Sequence, residues 1–232
     1  MLFGGIQKNS FIDYPGKISC VLFVSGCNFK CPYCHNPGLV KGQPVSSDLL
    51  TEDRAVDFLE NRKGLLDGVV ISGGEPTLQR DLSFFCERIK NMGYPVKLDT
   101  NGSRPEAVKE LVDRGLVDYI AMDIKTEPHR YSPHITANCN PDNILSSINI
   151  IMESGLAYEF RTTCVKSIVD EEAILDISRI IEGAMLYVLQ FFHYTEVLCP
   201  DFFNDRELEY NESEISHLKT IAEPFVGNSF IR

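Results

Sequence analysis

Six short apolar runs, often β-branched, recur along the chain at residues 18–24, 69–72, 96–98, 119–122, 158–160 and 186–191. Runs of this length bounded by turn residues predict buried strands. Between them the apolar positions recur at helical spacing. Thr51 is placed to cap one helix, with Glu52 and Asp53 in its first turn and Ala55, Val56, Phe58 and Leu59 on its apolar face. From Asp81 onward, Leu82, Phe85, Cys86 and Ile89 share a side, and Pro105 suits the first turn of a third helix that ends at Gly115. Residues 143–154 and 171–182 predict two more, closed by Gly155 and Gly183, and another is expected around 214–222.

Strand and helix alternating in this way predict an α/β fold, a parallel sheet with right-handed crossovers. No fixed-period repeat, low-complexity tract or linker interrupts the series, so residues 1–232 are expected to form a single domain. Residues 1–17 form an N-terminal extension, 18–193 the core and 194–232 a C-terminal tail. A full eight-unit barrel takes about 250 residues. The core here has room for six units, which predicts an incomplete (β/α)6 barrel with a lateral opening.

Charge narrows the partners. With 22 Lys and Arg against 33 Asp and Glu, the formal net charge is −11. That works against a phosphate-backbone binder, so nucleic acid is not expected. The longest apolar run, 184–192 with Gln190 inside it, falls far short of the ~20 residues of a membrane span. Lys8, Asp13 and Lys17 interrupt the apolar residues of the N-terminal stretch, which therefore lacks a secretion-signal pattern. A cytoplasmic protein is expected, and in that compartment eight cysteines point to metal or redox chemistry rather than to disulfides.

The most specific feature is Cys27, Cys31 and Cys34, a C-x3-C-x2-C in the loop after the first of the six strands. Zinc normally takes four ligands from paired knuckles, and Cys20, Cys86, Cys139, Cys164 and Cys199 are scattered singly. His35 adjoins Cys34 and would strain a tetrahedron. A ferredoxin-type centre takes four cysteines per cluster. Three thiolates on a four-iron cluster leave one iron open to a ligand, and this reading is favoured over zinc. Polar groups also gather at the strand ends. Gly73, Gly74, Glu75 and Pro76 follow the second strand; Asp99, Thr100 and Asn101 end the third; Asp123 and Lys125 the fourth; Arg161 the fifth; and His193 follows the last. In a parallel barrel the active site lies at that C-terminal face. Each residue alone reads equally well as a cap or turn residue, and His193 equally well as a packed aromatic neighbour of Phe192 and Tyr194.

With Tyr33 in the position before the last cysteine, the motif resembles the radical S-adenosylmethionine (SAM) superfamily signature, C-x3-C-x-aromatic-C. Gly73, Gly74 and Glu75 resemble the family's motif that meets the methionyl amino group. The strand ends and the run Ser10–Lys17 are similar to those of glycyl-radical-enzyme activases, above all the anaerobic ribonucleoside-triphosphate reductase activating proteins. The resemblance covers nearly the whole chain. It implies a [4Fe–4S] cluster on Cys27, Cys31 and Cys34, with SAM on its open iron. It places Asp99, Lys125, Arg161 and His193 around the methionine part of SAM, and Asp99, Thr100 and Asp123 at a monovalent-cation site. It further implies a glycyl radical enzyme as partner, with flavodoxin or ferredoxin as electron donor. A pyruvate formate-lyase-type activase shares every strand-end motif. A radical SAM enzyme acting on a small molecule is a further alternative, and a non-catalytic iron–sulfur or zinc protein is the alternative of another class. The tail, with Cys199, Pro200 and the acidic stretch 205–214, matches no chemical motif.

Overall fold

The computed structural model describes residues 1–42, 50–204 and 207–232; Asp205 and Arg206, at the start of the acidic stretch, lie outside the described residues. Contacts gather the chain into two compact units. The first holds Met1–Asn28, Asn36–Thr100 and Glu106–Ile120, and the second Phe29–His35, Asn101–Pro105 and Ala121–Arg232.

In the first unit the strands are β1 (Phe3–Ser10), β2 (Ser19–Val24), β3 (Gly68–Gly73), β4 (Val96–Thr100) and the start of β5 (Tyr119–Asp123), with helices α1 (Pro37–Val40), α2 (Glu52–Glu60), α3 (Leu82–Asn91) and α4 (Pro105–Asp113). Strands β2, β3 and β4 run parallel, pairing Cys20 with Val69, Leu22 with Ile71, and Ile71 with Leu98. These residues are fully buried, which is why β2 and β3 read as continuous apolar runs rather than alternating ones. Strand β1 was not predicted. Its sequence, FGGIQKNS, carries two glycines and an exposed polar half, and it is held as an antiparallel neighbour of β2. At Gly4 a Cβ would stand 2.1 Å from Leu39 Cδ2, so the glycine makes room for an α1 side chain. The run after β1 is a turn: the Ser10 hydroxyl donates to Asp13, and Lys17 N–H donates to Tyr14 C=O at 3.1 Å. Tyr14 is buried against Gly68 while Phe11 and Ile12 stay exposed.

The second unit takes the end of β5, then α5 (Pro141–Glu153), β6 (Ala157–Cys164), α6 (Glu171–Ile180), β7 (Tyr187–Phe191), α7 (Glu212–Ala222) and β8 (Ser229–Ile231). Strands β6, β7 and β8 are parallel, with Phe160 opposite Tyr187 and Val188 opposite Phe230. Strand β5 is tied at both ends: Asp118 N–H donates to Val96 C=O at 2.8 Å, and Ile124 N–H to Arg161 C=O at 2.8 Å. All six predicted strands are present, in an α/β arrangement with a parallel sheet. The tail differs from expectation, because β8 extends the sheet beyond β7 and α7 packs on α6. Three residues are too few to show a period, so β8 left no pattern to read. Caps define the helices. Thr51, Asn140 and Asp170 each accept a backbone N–H from the first turn of α2, α5 and α6, and Asn211 forms a reciprocal capping box with Glu214 on α7. No helix among the described residues is long and apolar enough to cross a membrane.

Replacing Asn211 with Ala removes the cap of α7 and is expected to cost about 1 kcal/mol. For a chain of this size that lowers the melting temperature by roughly 2–4 °C, measurable by circular dichroism.

Candidate functional site

The strand exits of the first unit are locked to one another through the backbone. Gly74 N–H donates to Val24 C=O and Glu75 N–H to Gly26 C=O, both at 2.9 Å. A Cβ on Gly73, whose φ is +110°, would stand 2.5 Å from Val24 N; one on Gly74 would stand 2.0 Å from Gly26 O. Both glycines are therefore required where the turn after β3 lies against the segment that leads into Cys27. Glu75 is buried, and its Oε1 accepts from Thr77 N–H (3.0 Å), the Thr77 hydroxyl (2.5 Å) and the Thr100 hydroxyl (2.7 Å). Its carboxylate thus closes the turn at Pro76–Leu78 and ties it to the end of β4. Asp99, in the last turn of the pleat on β4, accepts from the Ser72 hydroxyl at 3.0 Å and from Lys97 Nζ at 2.5 Å.

The second unit holds Cys31 and Cys34, with Cys34 N–H donating to Cys31 C=O at 3.0 Å. Cys31 is buried, and Cys27 and Cys34 are partly exposed. Among the described residues no three His, Cys, Asp or Glu side chains crowd closely enough for a single ion. A polynuclear cluster takes each thiolate on a different iron and asks for less crowding. Tyr33 is buried, packs edge-on against Phe192 at 6.3 Å, and its hydroxyl has no hydrogen-bond partner among the described residues. Burial, then Cys31, Tyr131, Asp123 and Cys34, push that hydroxyl's pKa well up, so it stays protonated and able to donate. The cysteine thiols and this orphaned donor fit a site built for an iron–sulfur cluster and a polar ligand.

Beside them lies an ionic network. Asp123 accepts from Arg161 Nε at 2.7 Å and Lys125 Nζ at 2.9 Å, and Lys125 N–H donates to the Tyr131 hydroxyl at 2.9 Å. Burial pushes the Asp123 carboxyl up, but the Arg161 guanidinium and the Lys125 ammonium outweigh it and hold it well below the ordinary value. Burial likewise pushes Lys125 down, and Asp123 with Cys31 more than restores its charge. Buried Glu159 stands 3.9 Å from Arg161 and 2.9 Å from Arg232. Lys125 and Arg161 thus share Asp123, and Arg161 and Arg232 share Glu159.

The structure brings Tyr33, Asp123, Lys125 and Arg161 together around Cys31, and separately brings Gly73, Gly74, Glu75, Asp99 and Thr100 together at the exits of β3 and β4. Asn101 turns inward and caps Ser103 N–H at 2.9 Å. His193 is exposed, stacked at 5.9 Å on Phe191, and so is not a core residue. Sequence reasoning missed Lys97, Glu159 and the tail. Leu198 N–H donates to Cys34 C=O at 3.0 Å and Cys199 N–H to Pro32 C=O at 3.1 Å, while Phe203 stacks on Phe192. The tail therefore fastens the cysteine loop. Only the aromatic density at residues 191–194 and 202–203 hinted at this.

Two outcomes follow from this geometry. Gly74→Ala forces backbone apart at Gly26 and is expected to cost roughly 1–3 kcal/mol, read as a lowered melting temperature. Asp123→Asn leaves two buried cations short of a partner, at roughly 3 kcal/mol near neutral pH. Because the folded pKa of Asp123 lies below its ordinary 3.8, its contribution is present above that pH and is lost as pH falls through the folded value. The difference in melting temperature between wild type and Asp123→Asn should therefore narrow below pH ~4.

Comparison with known proteins gives the family. The radical SAM superfamily profile matches residues 21–178. MJ1227 of Methanocaldococcus jannaschii, named for glycyl-radical enzyme activation, is 37% identical over 100% of this chain and 95% of its own length. A pyruvate formate-lyase-activating enzyme of Streptococcus mutans is 27% identical over 74% of this chain and 68% of its own. Among solved structures, Streptococcus suis SuiB bound to S-adenosylmethionine superposes with a TM-score of 0.66 over 91% of this chain at 13% identity. This chain spans about half the length of SuiB, and the likeness shows a shared fold. The superfamily works with SAM and a [4Fe–4S] cluster, and the three-cysteine loop, the locked glycine turn and the full-length match to MJ1227 converge on one assignment: this chain is a radical SAM enzyme, with homologues among the glycyl-radical enzyme activating enzymes.

Proposed function

We propose that the chain activates a glycyl radical enzyme, and that this partner is an anaerobic ribonucleoside-triphosphate reductase. The observation that carries the activase reading is the pairing of C-x3-C-x-Tyr-Cys with a near full-length match to a protein named for that activity. Cys27, Cys31 and Cys34 hold the cluster. When bound, the reduced cluster and SAM supply a 5′-deoxyadenosyl radical that removes a hydrogen atom from a glycine Cα of the partner. The chain's own groups bind and orient. Lys125 and Arg161, both cationic at neutral pH, receive the carboxylate of SAM. By resemblance, the Gly73–Glu75 turn meets the ligand's amino end and Asp99 offers it a carboxylate, while the Tyr33 ring and hydroxyl belong to the loop of Cys31 and Cys34. His193, exposed past β7, and Asn101 complete the rim. Buried apolar strands around these groups keep bulk water from the radical. A flavodoxin or ferredoxin would deliver the electron, in the cytoplasm.

A second reading has its own support. The match to the Streptococcus mutans enzyme makes a pyruvate formate-lyase-type partner an equal candidate by likeness. The reductase is preferred on the Ser10–Lys17 and Gly26–Pro37 runs, which resemble the reductase activating proteins.

Electron paramagnetic resonance separates the two. The reconstituted, reduced protein with SAM is mixed in turn with an anaerobic ribonucleoside-triphosphate reductase and a pyruvate formate-lyase from the same organism. A glycyl radical doublet on the reductase, absent with Cys31→Ala, is the expected result. A doublet on the formate-lyase alone reassigns the partner, and deoxyadenosine without either doublet moves the substrate to a small molecule.

A further inference from the structure

We propose that Lys97 supplies, from within the chain, the positive charge that the family resemblance assigns to a bound monovalent cation beside Asp99. The inference rests on the reading of Asp99 as part of the SAM site.

Lys97 is 1% exposed, in the middle of β4 and two residues before Asp99, so both side chains leave the same face of the strand. Its ammonium stands 2.5 Å from Asp99 Oδ1 and lies over the Tyr119 ring, 5.7 Å from the centroid. The other carboxylate oxygen accepts from the Ser72 hydroxyl. A lysine that has lost its water is costly unless a carboxylate is in contact with it, and Asp99 is that carboxylate. The same logic runs in reverse. An ammonium already on Asp99 gives that carboxylate the counter-charge a potassium or sodium ion would bring, without the ion's need for several oxygen ligands.

Asp123, the other carboxylate that the resemblance offers to such an ion, has one oxygen on Lys125 and the other on Arg161. Thr100 donates its hydroxyl to Glu75, which leaves its oxygen lone pairs but brings no charge. The carboxylates expected to draw a monovalent cation thus already face side-chain cations, and they do not fit an added positive ion. Lys97 acts on Asp99 and through it on the ligand, which makes it a positioning residue.

The test compares anaerobically reconstituted wild type and Lys97→Met in potassium, sodium and tetramethylammonium chloride at equal ionic strength, reading both deoxyadenosine formation and melting temperature. Wild type is expected to vary by less than about twofold among the salts, because screening is held constant. Lys97→Met is expected to lose roughly tenfold or more in tetramethylammonium, since Asp99 loses the ammonium that faces it. It should recover rate and melting temperature as potassium is titrated in. A purely structural lysine would not produce that rescue. A wild type that needs potassium, or whose melting temperature rises saturably with it, overturns the inference, as does a Lys97→Met variant as indifferent to salt as wild type. If Lys97→Met does not fold, the wild-type titration alone decides. Wild type that makes no deoxyadenosine in any salt sinks the activase reading instead, and the melting curves still decide this one.

Discussion

Two backbone hydrogen bonds, from Gly74 to Val24 and from Glu75 to Gly26, set the register between the ends of β2 and β3. They hold only because neither residue 73 nor residue 74 carries a Cβ. The segment they grip runs directly into Cys27, and the turn they close carries Glu75, whose buried carboxylate gathers Thr77 and Thr100. A constraint of main chain against main chain is harder to relax than one between flexible side chains. It makes the glycine turn as much a scaffold for the first cysteine as a place where a ligand approaches.

In the second unit the organising constraint is electrostatic. Lys125 and Arg161 share Asp123, and exposed Arg232 reaches buried Glu159; the two partly buried cations are held because a carboxylate faces them. Cys31 contributes to keeping Lys125 charged. The tail adds a mechanical element. Backbone donors at Leu198 and Cys199, with the Phe192 and Phe203 stack, fasten the loop on which Cys31 and Cys34 sit.

Most of this order was legible where a local pattern expresses it. The apolar runs of β2 and β3, the Thr51 cap and the C-x3-C-x2-C spacing each announce themselves within a few residues. What escaped is order that depends on partners distant in sequence. Strand β1 is a strand because β2 is beside it, and FGGIQKNS shows no alternation of its own. Lys97 lies unremarked inside the 96–98 run; its pairing with Asp99 at i+2 becomes meaningful only once both are known to leave one face of a strand and Lys97 is known to be buried. Glu159 is explained by Arg232, 73 residues away. The tail's grip on the cysteine loop uses backbone groups, which carry no sequence signal at all.

If Cys27, Cys31 and Cys34 hold a [4Fe–4S] cluster whose fourth iron is open to SAM, electron paramagnetic resonance of the reduced, reconstituted protein must change when SAM is added. The expected result is a [4Fe–4S]⁺ signal whose g values shift on SAM addition, and the loss of that signal in Cys31→Ala. A spectrum unchanged by SAM, from protein carrying its full complement of iron and sulfide, would contradict it.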